Sequence, residues 1–165
     1  NNSNSSALHD KMLPNQSALL IKKHIKDGMT LATKYHLPKQ VINILQQHHG
    51  TAYIRYFHTK AKEAGLDIDE NDFKYDGPKP QTKEAAIVMI ADIVESTTKS
   101  LSEIEPKIVD KVLSETVNRL ILEGQLDETP ISLEELSKIK SAMAPIINGV
   151  YSKRIEYPKN DNAEN

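Results

Sequence analysis

Three histidines and one aspartate stand in helical, otherwise apolar surroundings: His24, the adjacent pair His48–His49, and Asp92. Imidazole nitrogen and carboxylate oxygen are ligand types that suit iron, manganese and zinc. The 165 residues contain no cysteine, so no thiolate site can form and transition-metal chemistry must rest on residues of this kind. The four positions are far apart in sequence and have to be gathered by folding. That separates an enzyme metal centre from a histidine-rich tail, and the chemistry it points to is metal-assisted hydrolysis.

Each residue also has a plainer reading, which the residues alone leave open. A histidine on an apolar helical face is often simply buried and hydrogen-bonded. Adjacent histidines at a helix end also serve as caps. Asp92 is flanked by Ile90, Ala91, Ile93 and Val94, where a carboxylate is costly to bury unless it is paired or binds a cation. A Lys or Arg from another helix would satisfy it equally well. The dipeptide His9–Asp10 precedes any helical pattern and runs into Lys-Met-Leu-Pro, so it reads as a loop or cap. His36 and His58 read as ordinary surface positions.

The elements that must position these groups are helices. Ile21, His24, Ile25, Gly28, Leu31, Ala32 and Tyr35 recur at three- and four-residue steps from about Gln16–Ser17 onward, an amphipathic pattern that carries His24 in its apolar stripe. Pro38 suits the first turn of a second helix, with Val41, Ile42 and Leu45 as its buried edge. That helix leads into His48–His49 and stops at Gly50, a left-handed cap. A third helix is expected over Tyr53–Ala64, ending at Gly65. Leu66–Gln81 carries Gly77, Pro78 and Pro80 and reads as an ordered loop.

The longest helix is expected over Thr82–Leu101, with Ala85, Val88, Ala91, Asp92 and Glu95 near one face. Pro106 opens a helix through Leu122 that Gly124 ends. Ser132 and Glu135 form a capping box for the last helix, which Pro145 should bend or divide. No window alternates as a strand would. The expected fold is all-α, a bundle of about six helices forming one domain over 1–165, with a connector over 1–14 and a charged tail over 158–165.

Composition agrees with this. A chain of 165 residues suits a single domain burying roughly 70% of its unfolded surface. Lys+Arg number 21 against 23 Asp+Glu, so no global field marks a binder of nucleic-acid polymers or of membrane surfaces. The lack of cysteine fits a reducing compartment. No apolar run approaches the roughly 20 residues that span a bilayer, and the chain reads as soluble.

Several strings, in order, carry a family resemblance: His24-Ile-Lys-Asp27-Gly28, Gln47-His48-His49-Gly50-Thr51, Gly77-Pro78-Lys79-Pro80-Gln81 with Lys83-Glu84, and Ala91-Asp92-Ile-Val-Glu95. Gly124-Gln125-Leu126-Asp127, Asn148-Gly149-Val150-Tyr151 and Arg154-Ile155-Glu156-Tyr157-Pro158 continue it. Together they resemble the cytoplasmic HD domain of the seven-transmembrane HD receptors, bacterial cyclic-di-AMP phosphodiesterases. The resemblance implies a helical domain holding two divalent transition-metal ions, iron or manganese. The family's ligand pattern is a histidine, the His-Asp pair, a histidine, two adjacent histidines and an aspartate. The last four match His24, His48, His49 and Asp92. The earlier histidine and the His-Asp pair are expected upstream, and Leu8-His9-Asp10-Lys11 fits the connector that follows them.

The resemblance further implies phosphodiester hydrolysis by a metal-held hydroxide, with ions about 3.5–4 Å apart, no catalytic side chain beyond the ligands, and pApA as product. The substrate partner would be cyclic-di-AMP, and the parent protein would be anchored at the cytoplasmic face of the membrane. Asp27, three residues after His24, is a candidate to orient a ligand. Lys99 is a candidate phosphate contact or a solvated surface lysine. Thr51 is a candidate substrate contact or the cap of the next helix. The cyclic-di-GMP class shows a Gly-Tyr-Pro motif after its histidine pair, where this chain has Thr51-Ala-Tyr-Ile-Arg. Two further readings stay open: a nucleotide triphosphohydrolase, and a non-catalytic module that binds a cyclic dinucleotide or signals without hydrolysing it.

Overall fold

The computed structural model describes residues 12–101 and 106–152. Six α-helices occur among them: α1 Pro14–Lys34, α2 Lys39–Gln47, α3 Arg55–Glu63, α4 Lys83–Lys99, α5 Pro106–Leu122 and α6 Leu133–Ser152. A 3-10 turn, Glu70–Phe73, lies in the loop between α3 and α4. Among the described residues no strand forms, and the single isolated bridge joins Tyr53 to Lys74. The all-α expectation holds. His9–Asp10 and the tail from residue 158 lie outside the described residues.

Local punctuation explains most helix ends. Pro14 occupies the first turn of α1, where its missing N–H costs nothing, so α1 begins before the expected Gln16. Ala85 N donates to Thr82 Oγ1 at the start of α4 (3.2 Å). The capping box forms as expected, with Ser132 N on Glu135 Oε2 at 2.9 Å and Glu135 N on Ser132 Oγ at 3.1 Å.

Three expectations need correction. The longest helix is α1, with 21 residues against 17 in α4. Pro145, expected to bend or divide its helix, does not divide it: α6 runs on from Leu133 to Ser152 with Pro145 inside. Tyr53 and Ile54 are not helical: Ile54 N donates to Phe73 O (2.7 Å) and Tyr75 N to Ala52 O (3.0 Å), so this stretch is extended against the 73–75 segment and α3 starts at Arg55.

The described chain falls into two compact units, one made of residues up to 89 with 120–130, the other of 90–119 with residues from 131 on. In the first, α1 packs on α2, α3 and the 3-10 turn. Its core gathers Ala18, Ile54, Phe57, Ala61 and Phe73, with Ile21, Tyr53, Ile68 and Tyr75 packed against them. The apolar stripe expected on α1 is only partly used, since Leu31 and Tyr35 are exposed while Ser17, Ala18 and Ala32 are buried. On α2, Val41 is likewise exposed, and the fully buried residue is Gln47.

The second unit buries Ile90, Val94 and Thr98 of α4, Val109, Val112, Leu113 and Val117 of α5, and Leu136 of α6. The buried positions of α4 are therefore Ala85, Ala86, Met89, Ile90, Val94 and Thr98. Val88 and Glu95 are exposed, and Ala91 and Asp92 are half-buried. No helix among the described residues is long and apolar enough to cross a membrane.

Candidate metal centre

His24 stands on the third turn of α1, and His48–His49 follow the last residue of α2. Folding brings the three together. One ring nitrogen from each lies within 4.8 Å of the others, and these three are the one metal-competent group of histidines and carboxylates among the described residues. His24 is exposed and the other two are half-buried.

Backbone carbonyls set the first two rings. His24 Nδ1–H donates to Ile21 O and His48 Nδ1–H to Leu45 O, the latter at 2.8 Å. That tautomer leaves each Nε2 with a free lone pair, the arrangement a metal-binding histidine needs. His49 Nε2 lies 3.1 Å from His24 Nε2. Two nitrogens bound about 2.1 Å from one ion, at tetrahedral or right-angle geometry, would lie about 3.0–3.4 Å apart. Burial first, then the charges of His48 and His24, push the His49 imidazole down from 6.5 to about 3, so it is neutral at pH 7. Spacing, tautomer and protonation all fit a divalent transition metal.

The turn carrying the pair is built to a close tolerance. Gly50 has φ +53°, and a Cβ there would meet Gln125 Oε1 at 2.5 Å and Met89 Cε at 2.9 Å. Buried Gln125 accepts from Thr51 N at 3.0 Å and donates to Thr51 Oγ1 at 3.1 Å. Gln81 N donates to the Oε1 of buried Gln47 (3.0 Å), and Thr129 Oγ1 to Pro80 O (2.7 Å). The segments 77–81 and 124–129 thus brace the histidine turn.

The remaining candidates fall as follows. Thr51 does not cap α3; it is half-buried, and both its N–H and its hydroxyl engage Gln125. Asp27 pairs with Lys23 at 2.7 Å on exposed α1, while the orienting contact on His24 comes from Ile21 O. Asp92 lies on α4 in the other compact unit, half-buried. Lys99, in that same unit, pairs with Glu95.

His36 is exposed at the end of α1, with φ +51°. His58, expected at the surface, is instead packed. It contacts Glu70 Oε2 at 2.7 Å and lies against the rings of Tyr53 and Phe73. A hydrogen bond from Lys62 holds the Glu70 carboxyl below the usual carboxylate range, with Tyr53 and His58 adding to this and desolvation opposing it. Sequence reasoning missed Tyr75, whose ring stacks on His49 at 4.2 Å and 7°, together with the bracing roles of Gln47 and Gln125.

Comparison with known proteins bears directly on this centre. The HD domain family matches residues 6–97, more than half of the chain and a range that includes all three histidines and Asp92. The chain belongs to the HD domain family. Among HD domains it resembles those of two proteins named cyclic-di-AMP phosphodiesterase PgpH. It is 39% identical over 150 residues to the one from Listeria monocytogenes serotype 1/2a (strain 10403S), covering 91% of this chain and 21% of that protein. To the one from Bacillus subtilis (strain 168) it is 38% identical, covering 92% and 21%. The chain therefore spans about a fifth of the length of these curated relatives. A crystal structure of the L. monocytogenes phosphodiesterase PgpH HD domain in complex with cyclic-di-AMP superposes with a TM-score of 0.81 at 39% identity, covering 90% of this chain and 70% of that one. The HD-domain resemblance read from the strings around His24, His48–His49 and Asp92 agrees with these findings.

Proposed function

We propose that this chain is the C-terminal part of the catalytic HD domain of a metal-dependent phosphodiesterase that hydrolyses cyclic-di-AMP to pApA. The observation that carries the reading is the convergence of His24, His48 and His49, with nitrogens within 4.8 Å and the tautomers that ligation requires. The likeness to PgpH HD domains supports the choice of substrate. The three histidines would hold one ion, iron or manganese, and Asp92 occupies the aspartate position of the family's ligand pattern. When bound, such ions supply Lewis acidity and an activated water for attack on phosphorus.

The chain's own residues do the positioning. Ile21 O and Leu45 O fix two imidazole tautomers, burial keeps His49 neutral, and Gln125 holds the turn between the histidine pair and α3. Thr51 acts in that brace. The family's earlier histidine and its His-Asp pair complete the site from upstream of Asn1, in a parent anchored at the cytoplasmic face of the membrane.

The test is manganese-dependent production of pApA by these 165 residues and by a chain extended upstream, at equal concentration. Turnover by the extended chain and none by the shorter one is expected. Comparable turnover by both would show the ligand set to be misplaced, with His9–Asp10 the first residues to re-examine. Absence of pApA from both would end the phosphodiesterase reading. In calorimetric titration of the extended chain, tighter binding of cyclic-di-GMP than of cyclic-di-AMP would overturn the substrate.

A further inference from the structure

His24 and His48 each give an Nδ1–H to a carbonyl one turn back in the chain. His49 lies face to face with Tyr75, their centroids 4.2 Å apart and planes 7° from parallel. The tilted ring of His48 lies 4.0 Å from that of His49, and the His24 ring stands edge-on at 4.9 Å.

A metal takes the lone pair of an imidazole nitrogen in the plane of the ring, so whatever fixes the plane fixes the direction of the donor. Tyr75 is suited to this because it is itself anchored. Its N–H bonds to Ala52 O (3.0 Å), its neighbour Lys74 bridges to Tyr53, and its ring packs against the core of Ala18, Ile54, Phe57, Ala61 and Phe73. The same ring presents an edge-to-face contact to His24 at 6.4 Å.

Resting on the metal reading proposed for the three histidines, we propose that Tyr75 is a positioning residue of the centre: its ring is the wall that holds the His49 imidazole in the plane that turns Nε2 toward the ion shared with His24 and His48. The stacked ring is the contact to which the role is assigned. Loss of an outer partner of a ligating histidine lowers metal affinity by roughly 10–100-fold, and loss of this wall belongs to that class.

The experiment is a cobalt(II) titration of the 165-residue chain, followed by calorimetry and by the visible ligand-field absorption. The parent is compared with Tyr75→Phe, Tyr75→Leu and Ile68→Ala. Ile68 packs against the same core, so its truncation reports the effect of a loosened core alone. Tyr75→Phe should bind within about twofold of the parent with an unchanged spectrum. Tyr75→Leu should bind roughly tenfold or more weakly, with a shifted or weakened band. Ile68→Ala should melt lower yet keep both affinity and spectrum.

Equal affinity and spectrum for Tyr75→Leu and the parent would overturn the proposal while leaving the metal reading intact. So would an equal loss in Ile68→Ala, or a loss in Tyr75→Phe matching that of Tyr75→Leu. Absence of cobalt binding by the parent would remove the metal reading and this inference with it.

Discussion

The Nε2 atoms of His24 and His49 lie 3.1 Å apart although the residues are separated by 25 positions in the chain. At that distance two ring nitrogens cannot both carry protons. The Nδ1–H of His24 is committed to Ile21 O, so a neutral His24 offers its Nε2 lone pair to whatever lies between the rings, a proton carried by His49 or a metal ion. An ion entering the cluster takes the place of that proton. The geometry of a metal site and that of a histidine–histidine hydrogen bond therefore coincide here, and binding and stability measurements separate them.

If the cluster is a ligand set, manganese(II) should raise the melting temperature of the parent chain by mass action, since ions bind the folded state preferentially. His24→Ala, His48→Ala and His49→Ala should each abolish most of that rise. Each should lose more than the roughly 10–100-fold in affinity typical of removing an outer partner. His24 is exposed, so His24→Ala should leave the metal-free melting temperature close to that of the parent. Scanning calorimetry with and without the ion makes the comparison. A metal-dependent rise that survives all three substitutions would place the ion elsewhere.

Stability should depend on pH through His49. Its imidazole titrates at about 3 in the fold against 6.5 when unperturbed. Between these values the unfolded chain binds the proton and the folded one does not, so stability rises with pH. The contribution is complete above pH 6.5 and is lost as pH falls toward 3. The Glu70 carboxyl is lowered from 4.5, so the stability it adds is present above that value and lost only below it. The window from 4.5 to 6.5 therefore isolates His49 from Glu70. Urea unfolding at intervals across it should show falling stability with acidification, and His49→Gln should flatten the slope. An unchanged slope in that variant would contradict the assignment.

What could be read from the residues alone follows a physical division. Helix boundaries set by local chemistry were legible: Pro106 at the start of α5, the Ser132–Glu135 box before α6, and Gly50, Gly65 and Gly124, all of which have positive φ. The approach of His24 to His48–His49 was legible because ligand types in helical surroundings mark a site. Burial was less so. Val41 was expected on the buried edge of α2, yet it is exposed and Gln47 is the buried residue of that helix, since the choice of buried face is made by partner elements. Tyr75 and Gln125 were missed because their roles exist only with partners far along the chain. Gln125 and Thr51 are 74 positions apart, and neither residue type announces a brace.

Ser17 gives a test of the helix that carries His24. Its side chain is fully buried, and its Oγ has no hydrogen-bond partner among the described residues. A buried polar group left unsatisfied costs about 1–3 kcal/mol, and alanine is also the better helix former by a few tenths of a kcal/mol. Ser17→Ala should accordingly raise stability by about 1 kcal/mol in chemical denaturation, with metal affinity unchanged. A loss of stability would mean that the hydroxyl has a partner the fold depends on.

Gly50 offers the sharpest contrast with a matched control. Gly50 and Gly65 both end a helix in the left-handed region, at φ +53° and +64°. An L side chain in that region costs about 1–2 kcal/mol in either place. They differ in what a new Cβ would meet. At Gly65 nothing lies within 4 Å, whereas at Gly50 the Cβ would fall 2.5 Å from Gln125 Oε1 and 2.9 Å from Met89 Cε. Met89 is fully buried, and Gln125 is tied to Thr51 N and Oγ1, so neither can withdraw without loss. Displacing Gln125 leaves the Thr51 N–H without its acceptor, adding about 1–3 kcal/mol. Gly50→Ala should therefore destabilise the chain by about 1–3 kcal/mol more than Gly65→Ala, and only Gly50→Ala should also weaken metal binding, because the turn it strains carries His48 and His49. Denaturant unfolding and cobalt(II) titration of the two variants side by side measure both quantities. Equal stability losses would show that the turn yields freely, and intact metal binding in Gly50→Ala would show that the brace formed by Gln125 does not reach the histidines.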